Sequence, residues 1–324
     1  MSTLLDTLEP SETTTIRSFG EQLQADMAAV RLQLRWFGTR KSVSASQKRE
    51  AAETFDAETK FVSMGKKLLD TNHHAWKSLV VIRGKIVSTW KSSSLPFPEP
   101  GIRLIKRRNV EAFTQTLNSL RDELHDAEHD LDNHYDELRS TARNRLGSLY
   151  NPADYPASMI GMFDVTVDYP SVEAPDYLRS LSPSLYRQEA ERVRQRFDEA
   201  VKLAEDAFLG ELTKLVDHLA ERLSGNEDGR PKIFRDTVVT NLTEFFERFR
   251  RLNIGSSEEL DRMVADVQRI VGNVTPSGLR NSAALRQHVS GELSRVQASL
   301  DGLMVDRPRR NLIRRNGGKN ADRD

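Results

Sequence analysis

The stretch HDAEHDLDNHYDE, residues 125–137, holds three of the chain's seven histidines together with six carboxylates. Imidazole and carboxylate groups are common zinc ligands, and His125 and His129 are spaced to share one helical face. The spacing is similar to that of the helical HExxH motif of zinc proteases. However, Asp126 stands where that motif has glutamate, and no distant third ligand can be identified. The pattern therefore favours the solvated face of a long helix and leaves His125 and His129 as weak metal-site candidates.

Other catalytic chemistry has no recognisable motif in the chain. The absence of cysteine excludes disulfides, thiolate metal ligands and a cysteine nucleophile. The sequence contains no GxxxxGK[ST] phosphate loop, no GxGxxG motif and no GxSxG motif. We therefore expect a protein that is not an enzyme and that needs no cofactor, with a His-dependent metal enzyme as the least favoured alternative.

Two long heptad stripes give the clearest structural signal. Residues 107–146 contain no proline or glycine, and their apolar stripe consists of Phe113, Leu117, Leu120, Leu124, Ala127, Leu131 and Leu138. His134 falls on a core position of this stripe, where a buried polar residue can set the register of a coiled coil. A second helix over 183–223 carries the stripe Val193, Phe197, Ala200, Ala204, Ala207 or Phe208, Leu212, Leu215 and Leu219. Neither helix can bury its stripe alone, so the pair predicts an antiparallel coiled-coil hairpin.

Shorter elements flank these two helices. Period-two alternation predicts strands in VRLQLRWFG (30–38) and MFDVTVDYP (162–170), and GIRLI (101–105) is a third candidate for a small sheet. Helices are predicted over 16–29, 46–69 and 74–91, the last of them capped with help from the histidines at 73–74. The proline-rich segment 92–101 is predicted as a loop. Amphipathic helices near 232–252, 257–271 and 278–303 predict a bundle.

These elements predict a mainly α fold, in which a long antiparallel coiled-coil hairpin carries a small β element and a C-terminal helical bundle. A basic helical and β head would cover residues 1–106. The hairpin would cover 107–225, with a β-containing connection over 147–182. The bundle would cover 226–306, and a disordered basic tail would cover 307–324.

Charge is segregated along the chain although the formal net charge is zero. Residues 1–110 carry 18 Lys and Arg against 11 Asp and Glu, whereas residues 111–306 carry 23 against 35. A basic head with Trp36, Trp76 and Trp90 could track phosphates and stack bases, or the tryptophans could simply be core. The candidate nucleic-acid-binding residues are Lys66, Lys67, Lys85, Lys91, Arg103, Lys106, Arg107 and Arg108.

The apolar stretches are only a few residues long, as in Leu79 to Ile82, and none could span a membrane. The N-terminal residues 1–15 lack a basic region followed by an apolar run, so they do not form a signal peptide. We therefore expect a cytoplasmic protein with no membrane partner.

Several segments resemble an uncharacterised bacterial and phage family, the domain of unknown function three-one-five-zero. The resembling segments are LRWFGTRK (34–41), GKKLLD (65–70), RLIKRRNVEAF (103–113), HYDELR (134–139) and NPADYPASMIGMFDVTVDYPSVEAPDYL (151–178). The resemblance covers residues 30–225 and assigns no catalytic residue. It implies a phage or mobile-element protein encoded near MoxR-type AAA+ ATPases and von Willebrand A-type proteins.

The favoured function is therefore a non-enzymatic interaction protein, either an adaptor or a structural subunit. Its expected partner is a MoxR-type AAA+ ATPase or a second copy of the chain in a homo-oligomer. The alternative is a nucleic-acid-binding protein in phage replication or recombination.

Overall fold

The chain divides into two units, and the boundary between them falls inside one long helix. The computed structural model describes residues 18–223, 237–253, 255–272 and 274–305. The first unit runs from Met1 to Leu203 and the second from Ala204 to Asp324, so the division falls inside the helix Pro183–Leu223. This division differs from the predicted boundaries after residues 106 and 225. The predictions for residues 1–15 and for the tail at 307–324 lie outside the described residues.

The described residues form helices and short strands in the following order. The elements are α1 (Phe19–Asp26), β1 (Met27–Arg35), β2 (Arg40–Ser42), α2 (Ala45–Thr54), β3 (Gly65–Lys67), α3 (His74–Ser92), β4 (Ser94–Pro96), β5 (Ile102–Lys106), α4 (Val110–Asn133), α5 (Tyr135–Leu146), β6 (Asp164–Asp168), α6 (Tyr177–Leu181), α7 (Pro183–Leu223), α8 (Thr237–Leu252), α9 (Glu258–Gly272), α10 (Pro276–Asn281) and α11 (Ala283–Val305). The prediction of a mainly α protein with a small β element is confirmed.

The main sheet has the strand order β4-β5-β1-β6, and each neighbouring pair is antiparallel. On one side of β1, Ala29 pairs with Leu104, and on the other side Leu32 pairs with Val167. The three predicted strands are confirmed, and they pair with each other. The loop prediction for 92–101 is wrong at β4, because Pro96 is tolerated where β4 forms the sheet edge.

The helix predicted over 46–69 is much shorter in the structure. It begins at the capping box of Ser44 and Gln47 and ends at Thr54. Asp56 then adopts a left-handed conformation with φ 50°, and the Ala57 amide donates to the Ala52 carbonyl. The chain returns through β3, which pairs with β2 as a separate two-stranded ribbon. We call residues 40–67 the ribbon segment.

The first long stripe is buried, but its partner is not the predicted one. The α4 helix packs against α3 and β6, and its stripe joins Ile82, Ile86 and Val165 in one core. The helix also breaks at His134, so α4 and α5 replace the single predicted helix over 107–146. Tyr135 takes the buried position that the stripe assigned to His134. The coiled-coil hairpin is therefore not confirmed.

The second stripe is continuous in α7 but shifts near its end. Val193, Phe197 and Leu219 are buried as predicted, whereas Leu215 is half-buried and Val216 is fully buried instead. In the first unit, the Phe197 ring packs edge-on against Phe97, with 5.5 Å between ring centroids. The stripe is thus used for packing within each unit.

The described helices of the second unit pack against one another. The Phe208 ring packs against Phe245 and Phe249 of α8, and α9 packs against both α8 and α11. The third predicted helix, over 278–303, is divided into α10 and α11. Ser282 interrupts it in an extended conformation, and its hydroxyl accepts a hydrogen bond from the Leu285 amide.

Candidate functional site

The two histidines singled out by their spacing, His125 and His129, lie on α4 away from the core stripe. The Nε2 atom of His125 lies 3.8 Å from Oδ1 of Asp164, a carboxylate that already accepts a 2.9 Å hydrogen bond from Arg121. Within the described part of the chain, neither histidine belongs to a group of three potential metal ligands. Among the described residues, His125 and His129 therefore lack the further ligands that a metal site would need.

The acidic face of α4 is only partly solvated, which corrects the interpretation from sequence. Glu128 is 3% exposed, and its Oε1 accepts a 3.0 Å hydrogen bond from the Phe163 amide. One turn later, Oδ1 of Asp132 accepts hydrogen bonds from the Met159 amide at 2.7 Å and from the Ser158 hydroxyl at 2.9 Å. These two carboxylates fasten the connection before β6 to the helix.

A different group of histidines meets where α3 begins and α4 ends. His73 is the N-cap of α3, His74 is its first residue, and His134 is the single residue between α4 and α5. The ring centroids lie 4.3 Å apart for His73 and His74, 5.1 Å for His73 and His134, and 4.8 Å for His74 and His134. Three imidazoles from two distant segments therefore form one cluster, which we call the histidine cluster.

Two carboxylates accompany the histidine cluster. The potential ligand atoms of His74, Asp130 and His134 lie within 4.8 Å of one another, and so do those of His73, His134 and Glu137. Sequence reasoning missed this arrangement because it depends on the packing of α3 against α4. The only signal was the HH pair at 73–74, and the predicted capping role is confirmed for His73, whose Nδ1 accepts a 3.3 Å hydrogen bond from the Ala75 amide.

An open groove of about 350 Å³ lies near this end of α3, between the segment 67–72 and α5. Asp70 on its wall accepts a 2.7 Å hydrogen bond from Arg145. Hydrogen bonds from the Asn72 amide and from Arg145 lower the pKa of Asp70. The groove wall therefore carries an ion pair whose charges are already matched.

Half of the predicted nucleic-acid-binding residues have intramolecular partners. Lys66 is buried against Asp154, and Lys85 forms a 2.9 Å ion pair with Glu123. Arg103 donates to the Ser94 carbonyl at 2.7 Å, and Arg107 donates to the Met27 carbonyl at 3.1 Å. These four cations contribute to the fold, so their charges are not fully available to a phosphate backbone.

Three of the other four predicted residues are exposed. Lys67, Lys91 and Arg108 are exposed and form no ion pair with a described carboxylate, whereas Lys106 is half-buried. Burial, together with the nearby Arg108 charge, lowers the pKa of Lys106. The structure thus brings Lys106 close to Arg108 but does not gather all eight residues into one surface.

The three tryptophans pack against the protein core and are not exposed to solvent as open rings. Trp76 is buried, and the half-buried Trp36 packs edge-on against Trp76 and Phe163. Trp90 is half-buried, with the Arg103 guanidinium 5.7 Å from its ring centroid. The core interpretation is confirmed for Trp76, and the three side chains offer little open ring face for base stacking.

The ribbon segment displays aromatic rings instead. Phe55 and Phe61 are 79% and 80% exposed, more than any other large apolar side chain in the described ranges. The Lys60 ammonium lies 5.0 Å from the Phe61 ring centroid. At its base the segment is fixed by β2–β3 pairing and by the ion pairs of Lys41 and Lys66 with Asp154. Two exposed phenylalanines therefore project from a firmly anchored element.

Comparison with known proteins gives no assignment: no protein-family model, curated protein or solved structure matches the chain significantly. The resemblance to the domain of unknown function three-one-five-zero stays a prediction. Among the described residues, none of the helices combines the length and apolar character that crossing a membrane requires.

Proposed function

We propose that this chain is a non-enzymatic interaction protein, an adaptor or structural subunit, and that its partner protein binds the ribbon segment. The observation that supports this proposal is the exposure of Phe55 and Phe61 on an anchored element. Aromatic side chains are enriched in the cores of protein interfaces because they bury large apolar areas at low entropic cost. The resemblance to a mobile-element family supports a MoxR-type AAA+ ATPase or a second copy of the chain as the partner.

The proposal is tested by light scattering on the purified chain and on its mixture with the MoxR-type ATPase of the same genome. The wild-type chain should form a homo-oligomer or a complex with the ATPase. The double variant Phe55→Ser/Phe61→Ser should lose that assembly. The matched control is Val80→Ser/Val81→Ser, which removes two exposed apolar side chains from α3. A wild-type chain that stays monomeric at 36.8 kDa and ignores the ATPase would contradict the proposal.

Nucleic-acid binding is the second candidate function. It is favoured by Lys67, Lys91 and Arg108, which are exposed and carry charges that no described carboxylate neutralises. It is weakened by the intramolecular bonds of Lys66, Lys85, Arg103 and Arg107. The variant Lys91→Glu/Arg108→Glu separates these two groups of cations, because it changes only exposed ones.

A further inference from the structure

The histidine cluster joins two segments that lie sixty residues apart in the sequence, between His74 and His134. His134 lies at the break between two helices, with φ −97° and ψ 0°, and both its neighbours continue as helix. The side chain of His134 is 35% exposed and that of Asp130 is 48% exposed, so a dissolved ion can reach them. The cluster thus offers nitrogen and oxygen donors at an accessible point of a rigid framework.

We propose that His74, Asp130 and His134 bind a Zn²⁺ ion. Two imidazole nitrogens and one carboxylate oxygen are a ligand set that suits Zn²⁺, with a fourth position for water. Asp130 and His134 are four residues apart, and Oδ1 of Asp130 lies 3.9 Å from Nε2 of His134. Tetrahedral zinc, with Zn–N distances of about 2.0–2.1 Å, requires its ligand atoms to be about 3.4 Å apart. The potential ligand atoms of His74, Asp130 and His134 lie within 4.8 Å of one another. Small rotations of these side chains bring the atoms to the separation that zinc requires.

The alternative set of His73, His134 and Glu137 is less suited to the ion. Nδ1 of His73 accepts the hydrogen bond of the Ala75 amide, so the proton of a neutral His73 ring lies on Nε2. Neither ring nitrogen can then bind a metal ion unless this helix cap is broken. By contrast, no hydrogen bond from a described residue occupies a ring nitrogen of His74. The Zn²⁺ ion therefore lies on the His74 side of the cluster.

Zinc at this position links the first residue of α3 to the break between α4 and α5. The bound ion stabilises the folded first unit, because the three ligands come together only when α3 packs against α4. This role is independent of the partner surface on the ribbon segment, so either proposal can fail without the other.

The test is a titration of Zn²⁺ into the full chain without a polyhistidine tag, followed by calorimetry and by the absorption of Co²⁺ as a spectroscopic substitute. We expect one ion per chain and a rise in melting temperature on binding. His74→Gln, His134→Gln and Asp130→Asn should each weaken Zn²⁺ binding by at least about 10–100-fold. This is the loss that typically follows when a residue that only hydrogen-bonds a metal ligand is replaced. His129→Gln is the matched control, since His129 is exposed on the same helix but outside the cluster.

Three results would overturn the proposal. The first is no stoichiometric binding at micromolar Zn²⁺, and the second is loss of binding in His129→Gln with His134→Gln unaffected. The third is a loss in Glu137→Gln and His73→Gln but not in Asp130→Asn, which would place the ion in the other set. Melting curves recorded in a chelator should be unchanged by the ligand variants, so that weaker binding cannot be attributed to misfolding.

Discussion

Lys66 and Asp154 form a buried ion pair, with 2.6 Å between Nζ and Oδ2 and side chains only 6% and 5% exposed. The Lys66 ammonium also donates to the Leu149 carbonyl at 2.6 Å, and Lys41 reaches Oδ1 of the same aspartate at 2.7 Å. These contacts hold the base of the ribbon segment against the connection that follows α5. The orientation of Phe55 and Phe61 therefore depends on a carboxylate about one hundred residues away in the sequence.

Replacing Asp154 with asparagine should destabilise the first unit strongly. The Lys66 charge would stay buried without its partner, and breaking a buried pair in this way costs about 3–5 kcal/mol. Lys41→Met should cost only about 0–1 kcal/mol, because the Lys41 side chain is half-exposed. Urea unfolding of the variants measures both effects. Equal losses in Asp154→Asn and Lys41→Met would contradict this account.

The same pair predicts a pH dependence. Hydrogen bonds from Lys41 and Lys66 lower the pKa of Asp154 below its ordinary value. A carboxylate whose folded pKa is depressed stabilises the fold above its unfolded pKa of about 3.9, and this contribution is lost as pH falls through the folded pKa. The stability difference between wild type and Asp154→Asn should therefore shrink below about pH 4. A constant difference from pH 7 to pH 3 would argue against an ionic role.

Glu128 should act as a hydrogen-bond acceptor rather than as a charge. Glu128→Gln keeps an oxygen for the Phe163 amide, so it should change the free energy of unfolding little. Glu128→Leu leaves that buried amide without an acceptor and should cost about 1–3 kcal/mol. Asp126→Leu is the control, since Asp126 is exposed on the same helix and should change stability by about 0.5 kcal/mol or less. Equal stability of Glu128→Leu and Glu128→Gln would disprove the role of this acceptor.

The sequence predicted local elements better than it predicted their partners. The period-two pattern identified β1, and the HH pair indicated the start of α3, because both signals are contained in neighbouring residues. The stripe of α4 also identified the buried residues correctly. However, a stripe specifies only that a face is buried and not what covers it. The apolar face of α4 is covered by α3, whereas the predicted hairpin would cover it with α7. The end of α2 was missed because Asp56 adopts a left-handed conformation that aspartate takes only occasionally.

For the candidate sites too, local sequence patterns do not reveal contacts between distant segments. His125 and His129 were singled out because their spacing is visible along one helix, whereas the histidine cluster requires the packing of α3 on α4. Likewise, the basic residues of the head were counted as one group. Lys66 and Arg107 are bound to partners from distant segments, which no local pattern of charges reveals.

Tyr135 and Tyr155 should ionise later than a free phenol, whose pKa is about 10. Burial raises the pKa of each to about 12, and their hydroxyls donate to the carbonyls of Pro156 and Leu68 at 3.0 Å. Spectrophotometric titration should show the late ionisation of these two phenols. Because the folded pKa exceeds the unfolded value of about 10, this contribution to stability is complete below pH 10 and is lost as pH rises through 12.

Single replacements assign these two late phenols. Tyr135→Phe and Tyr155→Phe should each remove one late-ionising group. If neither replacement removed a phenol that ionises well above about pH 10, both buried hydrogen bonds would be in doubt.

Nucleic-acid binding can be tested without disturbing the fold. Reversing Arg107 would break its hydrogen bond to the Met27 carbonyl, so loss of binding there could reflect misfolding. Lys91→Glu/Arg108→Glu changes two exposed cations that pair with no described carboxylate. If the head binds single-stranded DNA, this variant should weaken binding and reduce the salt dependence by about one unit of slope for each lost phosphate contact.

The matched control for this charge reversal is Lys202→Glu/Lys214→Glu, which makes the same charge change on exposed positions of α7. Fluorescence anisotropy at two salt concentrations measures both variants against wild type. Equal weakening by the two double variants would mean that net charge alone governs the association. Specific weakening by Lys91→Glu/Arg108→Glu would identify the basic head as the binding surface, because only a local phosphate contact distinguishes the two changes.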